Sequence, residues 1–475
     1  MKETVLVTGN FNVLHPGHIR LLKFARTFSK TLIVGVFSDK FAGNAVDVPE
    51  DLRLESVESI KIVDKSFLIS TSLSDFINSL KPDVIVKGKE FEGQYNQEAE
   101  IIESYGGELI FSSGEIGFSA ITNSEDRLSI PATTRRLIQS FSNRHQISAN
   151  SLKHIINEFA KLKVCVIGDV MIDQYIDCFP LGMSQEEPTL VVSPQETKDF
   201  LGGAGIVASH AAQLGASTRF LSVVGSDHVR DLAATELDRC NVDYSFVVDN
   251  ARPTTLKQRF RSHGKSLLRV STLSQQAISD HLQRIILSEF EQTIKGTDIV
   301  VFSDFNYGCL PQPLVDRVIN ICKDHNIMIS ADSQSSSQFG DVSRFKGAHL
   351  ITPTEREARL ALHNYDDGLV VLADKLMAKT SAQNILLKLG SDGIIAQMAK
   401  KQDRMPHTER LDALNINPVD VSGAGDSVLI TASLALAAGA TLWQASLLGS
   451  VAAFIQVGRL GNMPIRSSEI TQALS

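Results

Sequence analysis

Two short segments of this sequence carry residues in patterns that chemistry needs. The first is Thr8-Gly9-Asn10-Phe11-Asn12-Val13-Leu14-His15-Pro16-Gly17-His18, between an apolar run and an amphipathic one. Its H-x-G-H core sets two imidazoles where a turn enters a helix. Free backbone N–H groups and the positive end of the helix dipole already favour an anion there. Two added ring donors suit the α-phosphate of a nucleotide, on which negative charge gathers as pyrophosphate leaves. No protein nucleophile is needed, because an oxygen of the second substrate can attack. Ordinary turn histidines and a pair of metal ligands are the competing readings, and the strand–G-x-F-x-x-x-H-x-G-H–helix context favours the phosphate. The second segment is Asp420-Val421-Ser422-Gly423-Ala424-Gly425-Asp426, ahead of an Ala-rich run. Gly423 and Gly425, with Ala424 between them, let the backbone close on a ligand and bare successive N–H groups as an anion hole. Asp426 at its rim can take the proton of an attacking hydroxyl. The bland alternative is a glycine turn with Asp426 as a helix cap.

The elements that must hold these segments alternate along the chain. Glu3–Thr8, Thr31–Phe37 and Val84–Lys87 have the apolar runs of strands, and Gly17–Phe28 has helical spacing. Ile60–Val63, Glu98–Tyr105 and Glu108–Phe111 continue the rhythm, which predicts a parallel sheet covered on both faces. The polar stretch 141–151 is placed as a linker between a first domain, 1–140, and a second, 152–475. The second opens with Val164–Gly168 and continues with strands at Phe220–Val224, Ile299–Phe302, Ile327–Ala331, His349–Ile351 and Ile385–Lys388. Thr189–Ser193 and Thr255–Val270 alternate like an antiparallel flap. No repeat of fixed period and no low-complexity tract interrupts this order.

Composition narrows the function. The chain has 475 residues, 43% hydrophobic and 21% charged, with a net charge of −8, which suits a globular protein of two or three domains. An acidic balance argues against a nucleic-acid partner, while small phosphorylated ligands stay open to local amides and cations. The five cysteines (Cys165, Cys178, Cys240, Cys309, Cys322) are scattered and include no C-x-x-C pair, so reduced thiols in a cytoplasmic protein are expected, with no metal site. The N-terminus runs directly into a strand-like segment and lacks a signal-peptide pattern. The uncharged stretch Ser427–Gly458, broken by Gly439, is read as two buried helices rather than a membrane span.

The first segment resembles the cytidylyltransferase-like nucleotidyltransferases. Val34-Gly35-Val36-Phe37-Ser38-Asp39 is similar to that family's second strand, and Val86-Lys87-Gly88-Lys89-Glu90-Phe91 to its Lys-Gly segment. Ala132-Thr133-Thr134 resembles its late Ser-Thr-Thr, with Gly117-Phe118-Ser119-Ala120 a competing match. Asn12 stands where an Asp is usual, and Ala132 replaces a Ser. The resemblance implies a Rossmann-like sheet, with His15 and His18 catalytic and Gly9, Phe11, Asn12, Ser38, Asp39, Lys87, Thr133 and Thr134 on the nucleotide.

From about residue 160 to the end the chain resembles the ribokinase (PfkB) family. The resemblance rests on the Gly423–Asp426 loop, on Gly202-Gly203-Ala204-Gly205 leading into Ala208–Leu214, on Val166–Asp173, and on the Leu389–Gly393 turn. It implies a ribokinase-like α/β domain with a small β flap. Asp426 would be the base, with Gly423, Ala424 and Gly425 on the phosphates and Glu357, Gly390 and Gly393 on the nucleotide. Asp169, Asp173, Gly202, Gly203, Lys257 and Asp304 would face the sugar. Gly203–Ala208 also spells the G-x-G-x-x-A of a dinucleotide site with Asp227 downstream, but Gln195–Leu201 does not resemble the buried strand such a site requires.

Together the halves resemble the bifunctional kinase/nucleotidyltransferase family of ADP-heptose synthesis, with the order of the halves reversed. That implies ATP as phosphoryl donor, ATP or CTP for the transferase, Mg²⁺, a sugar phosphate as partner, no membrane partner, and a homodimer through the kinase domain. Five departures face ligands in that family: Ile206 for Asn, Tyr307 for Lys, Ser271 for Asp, Gln334 for Lys and Thr354 for Asn. They favour an altered sugar or, as the alternative, a nucleotidyltransferase fused to an inactive, regulatory kinase-like domain.

Overall fold

The computed structural model describes residues 2–12, 14, 16–42, 46, 48–88, 96–111, 130–262, 265–334, 340–399, 408–415 and 418–474. The chain divides into two compact units, Met1–Asp126 and Arg127–Ser475.

The first unit is a parallel sheet of β1 (Lys2–Gly9), β2 (Ser29–Phe37), β3 (Lys65–Ile69), β4 (Val84–Lys87) and β5 (Glu108–Phe111), in the order β3-β2-β1-β4-β5. Successive residues of β1 explain why it lies at the centre. Val5 and Val7 pack on one face with Leu22 and Ala25 of helix Pro16–Arg26, and Leu6 packs on the other with Ile77 and Ile102. A strand whose central residues Val5, Leu6 and Val7 are all apolar has to be covered on both sides. The third strand falls just after Ile60–Val63, in Lys65–Ile69, where exposed and partly buried residues alternate. An edge strand with one solvated face loses the continuous apolar run that marked its neighbours.

The second unit has β6 (Lys163–Gly168), β7 (Val170–Met183), β8 (Leu190–Gly203), β9 (Ser217–Val224), β10 (Asp243–Val248), β11 (Thr255–Ser262), β12 (Lys265–Thr272), β13 (Ile299–Asp304), β14 (Met328–Ser333), β15 (Leu350–Ile351), β16 (Asn384–Lys388), β17 (Ile394–Met398) and β18 (Thr408–Leu411). Nine of them form one sheet, β10-β9-β6-β13-β14-β15-β16-β17-β18, parallel as far as β16 and antiparallel at its last two strands. The flap is a separate sheet, β12-β11-β7-β8. Because β8 pairs antiparallel with β7, Gly203 ends a flap strand and not a strand of a βαβ unit, and Asp227 caps helix His228–Arg239. The dinucleotide reading fails on that topology. The uncharged stretch is two helices, Ala424–Ala437 and Leu442–Val457, and their buried residues join the main core. Among the described residues no helix is long and apolar enough to cross a membrane.

The boundary between the units differs from the expected linker. Helix Ala132–Arg144 and helix Ala149–Glu158 both belong to the second unit, and Ile138, Phe141, Leu152, Ile155 and Ile156 are buried in its core. His145, between the helices, stacks on Trp443 and lies 2.9 Å from Glu409 Oε2 through Nε2. The stretch reads as polar because its helices are amphipathic and show the sequence mostly their wet faces.

Candidate active sites

In the first unit the strand order reverses between β1 and β4, and open parallel sheets bind ligands beyond the carboxyl ends of such a pair. Gly9 ends β1 and Lys87 ends β4. Phe11 is buried with a left-handed backbone (φ +49°), an uncommon conformation for a non-glycine residue, and its ring lies 5.1 Å from that of His18. A Cβ on Gly9 would come within 3.3 Å of the Phe11 ring. Asn12 Oδ1 accepts the Val48 N–H at 2.9 Å. His18 therefore sits in the first turn of helix Pro16–Arg26, at the switch point, as an anion site requires. His15 and the Lys89–Phe91 end of the Lys-Gly segment lie outside the described residues.

Two ion pairs brace this site, and their partners escaped the sequence reading. Arg53 is fully buried; it donates to Asn10 O at 2.6 Å, Val48 O at 2.8 Å and Asp39 Oδ1 at 2.6 Å. It ties the loop after β1 to Asp39, just beyond buried Ser38 at the end of β2. Lys87 Nζ lies 2.8 Å from Oε1 of Glu98, which is buried. Asp39 and Lys87 thus reach the site already neutralised by protein partners. Nothing in the run Glu50–Glu58 marks Arg53, since its neighbours read as a wet helix.

Thr134 needs correction. It lies with Thr133 on helix Ala132–Arg144 of the second unit; Thr134 is buried and donates to Leu414 O at 2.7 Å, while Thr133 is exposed. A hydroxyl spent on a buried carbonyl is not free for phosphate. The competing Gly117–Ala120 match lies outside the described residues.

The second unit holds a cleft of about 810 Å³ that gathers most of the expected residues: Asp173, Gly203 and Lys257 on the flap side, Glu357, Gly390 and Gly393 on another, and the Gly423–Asp426 loop. Gly423 precedes helix Ala424–Ala437 with φ +74°, and a Cβ there would lie 2.3 Å from Asn462 Oδ1. Only glycine fits, and the helix opens at the cleft with the Ala424 N–H on Val421 O at 3.4 Å and the Ser427 N–H on Gly423 O at 3.0 Å, so the N–H groups of Gly425 and Asp426 are the ones left in the first turn for a ligand. Asp426 is buried in that first turn, and Gln334 Nε2 donates to its Oδ1 at 3.0 Å. Burial first, then repulsion by Asp332 and Asp173 against attraction by Lys388 and Lys257, pushes its pKa up to about 7. A carboxyl titrating near neutrality lies in the range where general bases work.

Around Asp426, Lys388 Nζ is 2.8 Å from Asp332 Oδ2, and burial pushes the Asp332 carboxyl up to about 6 although Lys388 opposes it. Asp173 is buried, with Arg259 Nη2 and Asn462 Nδ2 each 3.5 Å from its oxygens; burial raises its pKa. A Cβ on Gly202 would lie 2.6 Å from Asp173 Oδ2, so that glycine makes room for the acid rather than lining the cleft itself. Lys257 Nζ lies over the rings of Phe305 and Tyr307, 5.4 and 5.2 Å from their centroids. Glu357 forms a capping box with Thr354, whose N–H it accepts at 2.7 Å. Gly393 has φ +89°, and a Cβ there would clash with Leu411 O.

Asp169 and Asp304 do not line the cleft. Asp169 accepts three backbone N–H groups, from Phe305 at 2.9 Å, Tyr307 at 3.3 Å and Cys309 at 3.1 Å. Asp304 accepts from Ser333 Oγ at 2.8 Å and pairs with Arg344 at 3.0 Å. Both shape the wall on which Lys257 rests. Among the departing positions, Ile206 is wholly buried in helix Ala204–Gln213 and Ser271 is exposed on β12. The sequence reading missed Lys388, Asp332, Arg259 and Asn462. Lys388 had a signal, since it ends a strand whose three preceding residues are apolar.

Residues 161–467 match the pfkB family of carbohydrate kinases, and residues 6–109 match the cytidylyltransferase-like family. The chain is similar to the bifunctional protein HldE of Desulfatibacillum aliphaticivorans, 32% identical over 67% of this chain and 64% of that protein. It is likewise similar to HldE of Caulobacter vibrioides, 32% identical over 69% of this chain and 66% of that one. It thus spans a little under two thirds of the length of these curated relatives. Among solved structures, Arabidopsis thaliana ribokinase complexed with ribose and ATP covers 66% of this chain and 98% of its own, with a TM-score of 0.51 at 20% identity. Escherichia coli phosphofructokinase-2 covers the same shares with a TM-score of 0.54 at 15% identity. These two likenesses establish a ribokinase-like fold. With a family match over well more than half its length, the chain belongs to the pfkB family of carbohydrate kinases.

Proposed function

We propose that the chain is a bifunctional enzyme of sugar-nucleotide synthesis, in which the second unit phosphorylates a sugar phosphate with ATP and the first transfers a nucleotidyl group to a sugar 1-phosphate. The observation that carries the kinase half is Asp426, a base titrating near pH 7 beside a glycine loop at a helix N-terminus. The hydroxyl oxygen attacks the γ-phosphorus as the bond to the bridging oxygen breaks. ADP leaves with the electron pair, the hydroxyl proton passes to Asp426, and the Gly423–Gly425 amides hold the phosphoryl charge. Asp173, Arg259 and Asn462 orient the sugar, while Lys257 meets its charged end. Asp169 and Asp304 act through the wall they build. Asp332 and Glu357 are two buried acids of one cluster around Lys388, which suits Mg²⁺ held by one or two carboxylates together with substrate phosphates. The ion would neutralise charge on the nucleotide.

In the first unit the sugar 1-phosphate oxygen attacks the α-phosphorus of ATP, or of CTP, and pyrophosphate leaves. His18, with His15, stabilises the charge, and Arg53 and Glu98 hold Asp39 and Lys87 in place. The likeness to HldE makes heptose phosphates, and thus an ADP-heptose, the leading substrates and product. The exposed apolar residues at the flap's outer end, among them Phe179, Leu181 and Met183, are where we place a homodimer contact. The assay is ATP turnover with a panel of sugar phosphates: heptose 7-phosphate is expected to have the highest kcat/KM, and no turnover with any sugar would leave only the regulatory reading.

A further inference from the structure

We propose that Lys388 is a catalytic residue of the kinase cleft, its ammonium holding a non-bridging oxygen of the phosphoryl group in transfer. This rests on the kinase reading of that cleft. Lys388 ends β16 with 11% of its side chain exposed, and it lines the cleft. Its Nζ is 2.8 Å from Asp332 Oδ2, and a Cβ built on Gly425 would lie 3.0 Å from the same nitrogen. The ammonium therefore lies against the backbone of the anion loop itself.

The donors of Lys388 are not all used. An ammonium has three donors, and Asp332 is its one hydrogen-bond acceptor among the described residues. A nearly buried cation with two donors left, beside the Gly425 backbone, lacks acceptors of the kind phosphoryl oxygens supply. Position 334, where the resembled family carries a lysine, holds an amide that donates to Asp426. In this chain the cation enters the cluster from β16 instead.

In the step itself the new bond runs from the sugar oxygen to the γ-phosphorus and the old one to ADP breaks. The proton goes to Asp426, and Lys388 gives up none of its own. A γ-phosphate contact makes Lys388 favour ATP over ADP, whereas a mere counter-ion for Asp332 would not.

The test uses the full chain with Lys388→Met and the double variant Asp332→Asn/Lys388→Met, which removes both charges and leaves no buried ion alone. Calorimetric titrations with ATP and with ADP, in EDTA so that no metal enters, report the second unit's cleft because only that unit is altered. In both variants ATP at that site is expected to weaken at least ~10-fold and ADP less than twofold, with kcat for sugar phosphorylation falling ~10². Equal weakening of ATP and ADP, or a double variant with wild-type kcat, overturns the assignment. A wild-type protein that phosphorylates no sugar refutes the kinase reading instead, and the ATP-to-ADP comparison still decides the role of Lys388.

Discussion

Replacing Asp426 by Asn keeps the shape of the anion loop and removes one buried charge, so it separates what that carboxylate does for chemistry from what it does to the fold. Its pKa is pushed from an ordinary 3.8 to about 7, chiefly by burial and then by Asp332. A rise of about three units corresponds to at most ~4 kcal/mol between the two protonation states. The sign follows from linkage. With the folded value above the unfolded one, the associated stability is complete below about pH 4 and is lost as pH rises through 7. Asp426→Asn is therefore expected to melt higher than wild type at pH 8, with the gap closing towards pH 4. Its phosphoryl transfer is expected to fall ~10² or more while ATP still binds. In the wild type, kinase kcat/KM is expected to rise about tenfold per pH unit below 7 and level above it. Melting curves across pH 4–9 with ADP release at each pH check both halves. A variant as active as wild type, or one with no stability gain at pH 8, refutes the reasoning.

Two further outcomes follow from the same geometry. His15→Ala or His18→Ala is expected to cut pyrophosphate release ~10² and to leave ADP release unchanged, measured on the same samples; a double variant at wild-type rate would remove the histidines from the chemistry. Phe141→Ala opens a cavity in the second unit's core, so kinase activity should be lost at a lower temperature, by ~3–5 kcal/mol of stability, with nucleotidyl transfer kept. Equal loss of both activities on heating would return helix Ala132–Arg144 to the first unit.

Much of this was legible because local chemistry and global position agreed. The H-x-G-H turn, the G-A-G-D loop and the apolar strands each demand one backbone arrangement, and each has it where described. The failures share a cause, which is that a side chain's partner comes from a distant segment. Asp169 reads as a sugar acid until three amides of Phe305–Cys309 are seen to use it. Thr134 reads as a phosphate hydroxyl until the Leu414 carbonyl is seen to accept its hydrogen bond. Arg53 and Glu98 sit in helices that look solvated, and only the fold buries them. The unit boundary was misplaced for the same reason, since the helices around 141–151 bury only one face.

The most direct test of the two-reaction account follows label from ATP through the wild-type protein with Mg²⁺ and sugar phosphates. With γ-labelled ATP and a sugar phosphate, label is expected on the sugar, with ADP formed in equal amount. With α-labelled nucleotide and a sugar 1-phosphate, label is expected in a nucleotide sugar, with pyrophosphate formed in equal amount. Transfer of neither label to any sugar in a broad panel, by protein that binds ATP, would contradict the account.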